Sequence, residues 1–271
     1  EDKMNLFKKI MNLLFPRKIK CIFCGRDITN FDEKPYCSDC EKASFFNDGE
    51  YRCKCCDAPL PVNDGYCYHC KTSHKEFAKN TSPFIYTDYV RKDIINLKSD
   101  NAKYLAEPMG KLMAKRVKEE GFVFDLIIPI PLSPKSLKKR GYNQSELLAI
   151  EVAKTLDKPL RTDILYKVKE TKHQKELGFN DRQNNLRDAF FVNFPKDIKG
   201  KDILLVDDVM TTGATTNQCA KALKKYCNEV YVVTFARRDI NNRKTHFSLK
   251  NLFKKKNKIK KNYKIKEKTI E

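Results

Sequence analysis

The chain has 271 residues and carries 55 Lys and Arg against 35 Asp and Glu, a formal charge of +20. That length holds one full α/β domain plus a smaller unit. The charge favours an anionic partner through attraction and counterion release, and no run approaches the roughly 18 apolar residues of a membrane span.

In chain order, the first segment is Asn5 to Lys18. Leu6, Ile10, Leu13 and Leu14 share one helical face there, which predicts a short amphipathic helix packed on the body. The segment lacks a small-residue cleavage site and a proper apolar core, so it reads poorly as a signal peptide.

The cysteines come next. Nine of the 11 fall between residues 21 and 70, as Cys21-x2-Cys24, Cys37-x2-Cys40, Cys53-x2-Cys56 and Cys67-x2-Cys70 with Cys55 to spare. Each CxxC turns two thiolates toward one ion, and two such knuckles complete a tetrahedral site. The spacing predicts two consecutive four-Cys zinc ribbons. The segment has too few aliphatic residues for a core, so metal supplies folding energy. A disulfide framework needs export, for which there is no signal. A closed four-Cys site leaves no open coordination position, so both zincs are structural. Cys55 can replace Cys53 or Cys56 as ligand; His69 and His74 read as bystanders. Cys219 and Cys227 read as ordinary buried or half-buried thiols.

The body alternates strands and helices. Strands are predicted over 84–90, 124–130, 164–168, 190–192, 202–206 and 229–235. Helices are predicted over 91–98, 102–119, 143–156, 181–187 and 216–226. The alternation predicts a doubly wound, mostly parallel α/β sheet. The prolines of Pro129-Ile130-Pro131-Leu132-Ser133-Pro134 set a rigid turn that allows a cis bond. Lys138 to Gln144 (KKRGYNQ) reads either as a pyrophosphate contact through Arg140 or as a solvated turn with Asn143 capping the next helix. Residues 167–185 form a long charged excursion of the kind used as lids. His173 within it reads as a lone loop histidine.

The chemistry concentrates in Ile203 to Thr215 (ILLVDDVMTTGAT). An apolar strand ends in two carboxylates and a Thr/Gly turn opens a helix. Ligands of open α/β sheets bind at such strand ends, and free N–H groups with the positive helix end suit phosphate. Gly213 lets backbone approach the anion, and the threonines add donors. Adjacent carboxylates suit the vicinal hydroxyls of a ribose or hydrated Mg2+. No Gly-Lys-Ser/Thr follows, so this is not a P-loop. From Asn241 onward, twelve basic residues face two acidic ones, which reads evenly as a solvated tail or a nucleic-acid contact.

The stretch resembles the 5-phosphoribosyl-1-pyrophosphate (PRPP) motif of type I phosphoribosyltransferases. By that resemblance Asp207 and Asp208 hold the ribose hydroxyls, and Thr211, Thr212, Gly213, Ala214 and Thr215 cradle the 5′-phosphate. By the same resemblance, Lys169 or Lys172 is the candidate catalytic residue, a basic side chain of the flexible loop that helps pyrophosphate leave.

Tandem zinc knuckles, then RGYNQSELLA, QKELGFNDRQNNLRDAF and LLVDDVMTTGAT, in that order, resemble the ComF/ComFC family of bacterial competence proteins, with GntX-type relatives. The likeness runs over roughly residues 4–238. It implies a double zinc ribbon (19–76) on a type I phosphoribosyltransferase-like domain (77–238); the residues themselves add an N-terminal helix (1–18) and a basic tail (239–271) read as disordered. It further implies two structural Zn2+, Mg2+ with PRPP, and a cytoplasmic role with incoming single-stranded DNA in natural transformation. The implied partners are a helicase-like competence ATPase and a recombination mediator. An active PRPP-dependent phosphoribosyltransferase is the alternative; no hood for an acceptor base follows Arg238, so the pattern supports PRPP binding more directly than turnover. A PRPP-sensing regulator lacks a helix-turn-helix pattern, and a purely structural zinc module has no use for residues 203–215.

Overall fold

The computed structural model describes residues 19–28, 34–43, 45–168 and 189–239. The expected N-terminal helix, the 181–187 helix, His173, Lys169, Lys172 and the basic tail lie outside these residues.

The centre is a parallel sheet. Strands β3 (Lys79–Thr81) and β4 (Phe84–Ile85) both pair with β9 (Val230–Arg237). Strand β9 pairs with β8 (Ile203–Met210), which pairs with β5 (Leu126–Pro129). Strand β8 is buried on both faces, and its alternation divides the protein into two layers. Leu204 and Val206 join a core with Met109, Met113, Leu148 and Val152. Ile203 and Leu205 face Cys219, Ala220 and Leu223 on the other side. Near-continuous apolar strands are what a sheet covered on both faces requires.

The first layer is made by α4 (Ala106–Glu119) and α6 (Gln144–Leu156); the second is covered by α7 (Ala214–Leu223). Gly110 permits the close approach of α4 to α6. A Cβ there would lie 2.5 Å from the Glu151 Cβ and 3.1 Å from the Leu148 carbonyl oxygen.

Several local expectations are corrected. The 84–90 strand stops at Ile85, because α3 starts at Asp88 and runs to Leu97. The predicted 102–119 helix begins as a 3-10 segment over Asp100–Leu105, kinked at Ala102 (φ −131°), and becomes α4 only from Ala106. Strands β6 (Leu165–Lys167) and β7 (Phe190–Val192) pair antiparallel with each other and not with the main sheet. No cis peptide occurs among the described residues. Residues 134–140, where the sequence predicts no helix, form helix α5: Ser133 caps it through Ser136 N–H, Pro134 fills the first turn, and Gly141 (φ 79°) ends it left-handed.

The two ribbons, which carry the short helices α1 (Ser38–Glu41) and α2 (Tyr68–Thr72), repeat one turn, and each joins one layer. The hairpin β1 (Ile19–Lys20) and β2 (Asp27–Ile28) brackets the first knuckle. Cys21 N–H bonds Arg26 O (2.8 Å) and Gly25 N–H bonds Cys21 O (2.9 Å); the second repeats this with Cys53 to Ala58 O (2.8 Å) and Asp57 to Cys53 O (2.9 Å). Gly25 and Asp57 both take the left-handed conformation (φ 70° and 60°). An aspartate tolerates that position, and its carboxylate is used: it accepts from Arg52, Asn47 and Ser82 N–H. Burial raises the Asp57 carboxyl to about 7 despite Arg52. Phe23 and Phe45 of the first ribbon pack on Phe84, which packs on Phe235 (centroids 5.0, 6.1 and 4.9 Å). Cys53, Cys56 and Cys67 of the second join the core that holds Met210. The ribbons thus share the body's core where the sequence suggested metal-only units.

Candidate functional site

Strand β8 runs through both aspartates to Met210, so the carboxylates sit inside the strand's last turn of pleat rather than beyond it. Pairing with β9 continues past them, with Asp207 opposite Thr234 and Met210 opposite Arg237. Thr211 to Gly213 then turn the chain into α7. Gly213 sits left-handed at its N-cap (φ 76°), and Asn217 N–H makes the helical bond to Gly213 O (2.8 Å). The N–H groups of the first turn have no intrahelical acceptor. A concavity there is lined by Asp207, Val209 and every residue from Met210 to Thr216. It gathers Asp207, Thr211, Thr212, Gly213, Ala214 and Thr215 on one surface.

The aspartates are held differently. Asp207 Oδ1 accepts from the Ser145 hydroxyl (2.7 Å) and from Asp208 N–H (2.9 Å). Burial, and then the adjacent Asp208 charge, lift the Asp207 carboxyl to about 7. Asp208 is buried and ion-pairs with Lys98 at the end of α3. Tyr142 fixes that end. Its hydroxyl donates to the carbonyls of Leu97 and, at 3.0 Å, Ser99 on either side of Lys98.

The segment after α5 therefore serves the acidic pair from several directions. Asn143 caps α6 through Ser145 N–H (3.1 Å) and donates to Ile130 O (3.0 Å), fixing α6 to the end of β5. Ser145 on the first turn of α6 then reaches Asp207. Arg140 is half-exposed and donates to Gln144 Oε1 at the same helix start; its partner is this amide and not the threonine loop. Sequence reasoning missed Ser145, Lys98 and Tyr142. Ser145 lies inside the RGYNQSE run and Tyr142 beside Arg140, but Lys98 has no local signal.

The cysteines form two clusters, Cys21, Cys24, Cys37 and Cys40, and Cys53, Cys56, Cys67 and Cys70, with the sulfurs of each within 4.8 Å of one another. Zn–S bonds of about 2.3 Å in a tetrahedron put sulfurs roughly 3.8 Å apart. Cys24 to Cys37 is 3.7 Å and Cys56 to Cys67 is 3.6 Å. The donor set fits structural zinc. Backbone N–H groups already point at ligand sulfurs, Cys37 at Cys21 (3.4 Å) and Cys67 at Cys53 (3.3 Å). Such contacts favour thiolates; Cys21 is pulled down to about 4, first by the Cys40 thiol. Cys55 stands outside the second cluster, with its carbonyl taken by Asn80 N–H (2.7 Å). His69 lies against Tyr68, and His74 lies 3.8 Å from Glu76. Cys219 is buried and Cys227 half-buried. No described helix is long and apolar enough to cross a membrane.

This is a phosphoribosyltransferase-type α/β fold that carries an N-terminal double zinc ribbon. The phosphoribosyl transferase domain family matches residues 143–268, and the double zinc ribbon domain family matches residues 10–71. Competence protein F of Haemophilus influenzae is 30% identical over 225 residues, covering 80% of this chain and 96% of that protein. Competence protein ComFC of Streptococcus pneumoniae is 28% identical over 228 residues (76% and 94%). The DNA utilization protein YhgH of Salmonella typhimurium is 27% identical over 176 residues (63% and 77%). The chain belongs to the ComF/ComFC family.

Proposed function

We propose that this protein acts in natural transformation, handling incoming single-stranded DNA in the cytoplasm, and that its phosphoribosyltransferase-like domain binds PRPP. The observation that carries the reading is the acidic pair: Ser145 and Lys98 hold two adjacent carboxylates beside a left-handed glycine turn at a helix start. In this reading Asp207 and Asp208 take the ribose hydroxyls, and Thr211, Thr212, Gly213, Ala214 and Thr215 take the 5′-phosphate. Arg140 meets the pyrophosphate from the end of α5, beside the start of α6. Mg2+, when bound, neutralises pyrophosphate charge. The chain divides at about residues 18, 76 and 238, and the basic tail adds DNA affinity. A helicase-like competence ATPase and a recombination mediator are the partners of such a role. The names of the Haemophilus and Streptococcus relatives support this assignment to competence.

Calorimetric titration with PRPP and Mg2+, alone and with a single-stranded oligonucleotide, tests it. Binding that is lost in Asp207→Asn with Asp208→Asn supports the pocket, and a shift with oligonucleotide couples it to DNA. No PRPP binding overturns it.

A second reading, an active PRPP-dependent phosphoribosyltransferase, is favoured by the completeness of the acidic pair and threonine loop. It requires Lys169 or Lys172 to assist the leaving pyrophosphate. Pyrophosphate release in the presence of free bases separates the two readings.

A further inference from the structure

Arg237 ends β9 with 1% of its surface exposed. A buried arginine ordinarily pairs with a carboxylate. The hydrogen bonds of this guanidinium go instead to four carbonyls and one sulfur. On one side Nε donates to Cys56 O (2.9 Å) and Nη2 to Cys56 Sγ (3.2 Å). On the other, Nη1 donates to Met210 O (2.9 Å), Thr211 O and Arg238 O (3.2 Å). Cys56 belongs to the second cysteine cluster, and Thr211 opens the threonine loop. One side chain therefore bolts a metal ligand to the start of the phosphate turn.

Among the described residues no carboxylate pairs with this guanidinium, and the cluster supplies the counter-charge. Four thiolates around one Zn2+ carry a net charge of −2, and a guanidinium on one of the sulfurs offsets part of it while orienting the ligand. A second link runs parallel: the amide N–H of Glu76, just past the ribbon, donates to Asn217 Oδ1 in the first turns of α7 (2.7 Å). Nothing comparable joins the first ribbon to the loop among the described residues; its Arg26 pairs with Asp39 at the surface, and its cysteines face the opposite core layer.

We propose that Arg237 is a positioning residue through which zinc in the second ribbon, and not in the first, holds the phosphate turn in its formed shape. Loss of that zinc leaves the guanidinium without its counter-charge and frees the Thr211 end of the turn. The coupling is reciprocal, so a ligand that orders the turn tightens the binding of that zinc. The shape of the turn is independent of what it binds; only the consequence for PRPP rests on the function proposed above.

Amide hydrogen exchange on the full chain tests this, read on peptides over 209–217 with strand 203–206 as the control for global folding. Cys70→Ser opens the second cluster at a ligand that does not touch Arg237; Cys24→Ser opens the first. Cys70→Ser and Arg237→Met should each speed exchange in 209–217 by at least about tenfold, the loss of even one charge-assisted hydrogen bond. Arg237→Lys, which keeps the charge without the fork, should fall between, and Cys24→Ser should leave the turn as in the parent. Equal exchange over 209–217 in Cys70→Ser and Cys24→Ser overturns the proposal. If Arg237→Met exposes strand 203–206 as well, the two cysteine variants decide the matter alone. PRPP titration of the parent separates the readings: no binding, with the turn still responding to Cys70→Ser, sinks the PRPP function and leaves the coupling standing.

Discussion

Ser145 on the first turn of α6 donates its hydroxyl to Asp207 at 2.7 Å, joining a helix start to a strand 62 residues later. The bond presents one carboxylate oxygen in a fixed orientation. Ser145→Ala should weaken PRPP–Mg2+ binding about 5- to 30-fold, the loss of one hydrogen bond to a charged group. Calorimetry on the folded variant checks it; unchanged affinity would show that Asp207 does not touch the ligand.

Asp207 also sets a pH dependence. Its carboxyl is raised to about 7 by burial and by Asp208. Between roughly pH 4 and 7 the folded state keeps a proton that the unfolded chain has lost, so this group lowers stability as pH rises through that window and adds nothing further above it. Ligand binding through the ionised carboxylate runs the other way: affinity should rise from pH 6 to 8 with release of a proton. Titration in two buffers of different ionisation enthalpy measures that proton directly.

Zinc content follows the two clusters. The parent should hold two zinc ions per chain, and Cys24→Ser should lose one of them and expose the Phe23–Phe45–Phe84 contacts. Atomic emission with near-ultraviolet circular dichroism reads both. Retention of two ions would show that the first ligand set is wrong.

Gly110→Ala probes the seam between α4 and α6. The added methyl meets the Glu151 Cβ and helix backbone rather than a flexible side-chain end. Overpacking of this kind costs about 1–3 kcal/mol, and thermal unfolding should fall by roughly 2–10 °C. A melting temperature equal to the parent's would mean the helices separate freely.

Removing residues 241–271 takes away twelve basic side chains. Single-strand DNA affinity should fall, and so should the slope of its logarithm against that of salt concentration. An unchanged slope would make the tail a bystander.

What the sequence alone determined is local. The CxxC pairs name both sets of ligands, because two thiols at that spacing share one turn. Ile203 to Thr215 announces strand, acid pair and glycine turn together, because the three are built from consecutive residues. The capped start of α6 was legible from Asn143. The helix at 134–140 was hidden, since seven mostly polar residues have no apolar period; its Ser133-Pro134 start and Gly141 end were the available signals.

Only the tertiary structure decided the long-range partners. Lys98 meets Asp208 because Tyr142 holds the end of α3 against the start of α6. Arg237 touches Cys56 because strand β9 brings its guanidinium to a residue 181 positions earlier in the chain. The antiparallel pairing of β6 with β7, apart from the main sheet, was likewise invisible to strand propensity. Propensity and spacing act over a few residues. A buried charge chooses its partner by what desolvation leaves within reach, and that is settled only when the layers close.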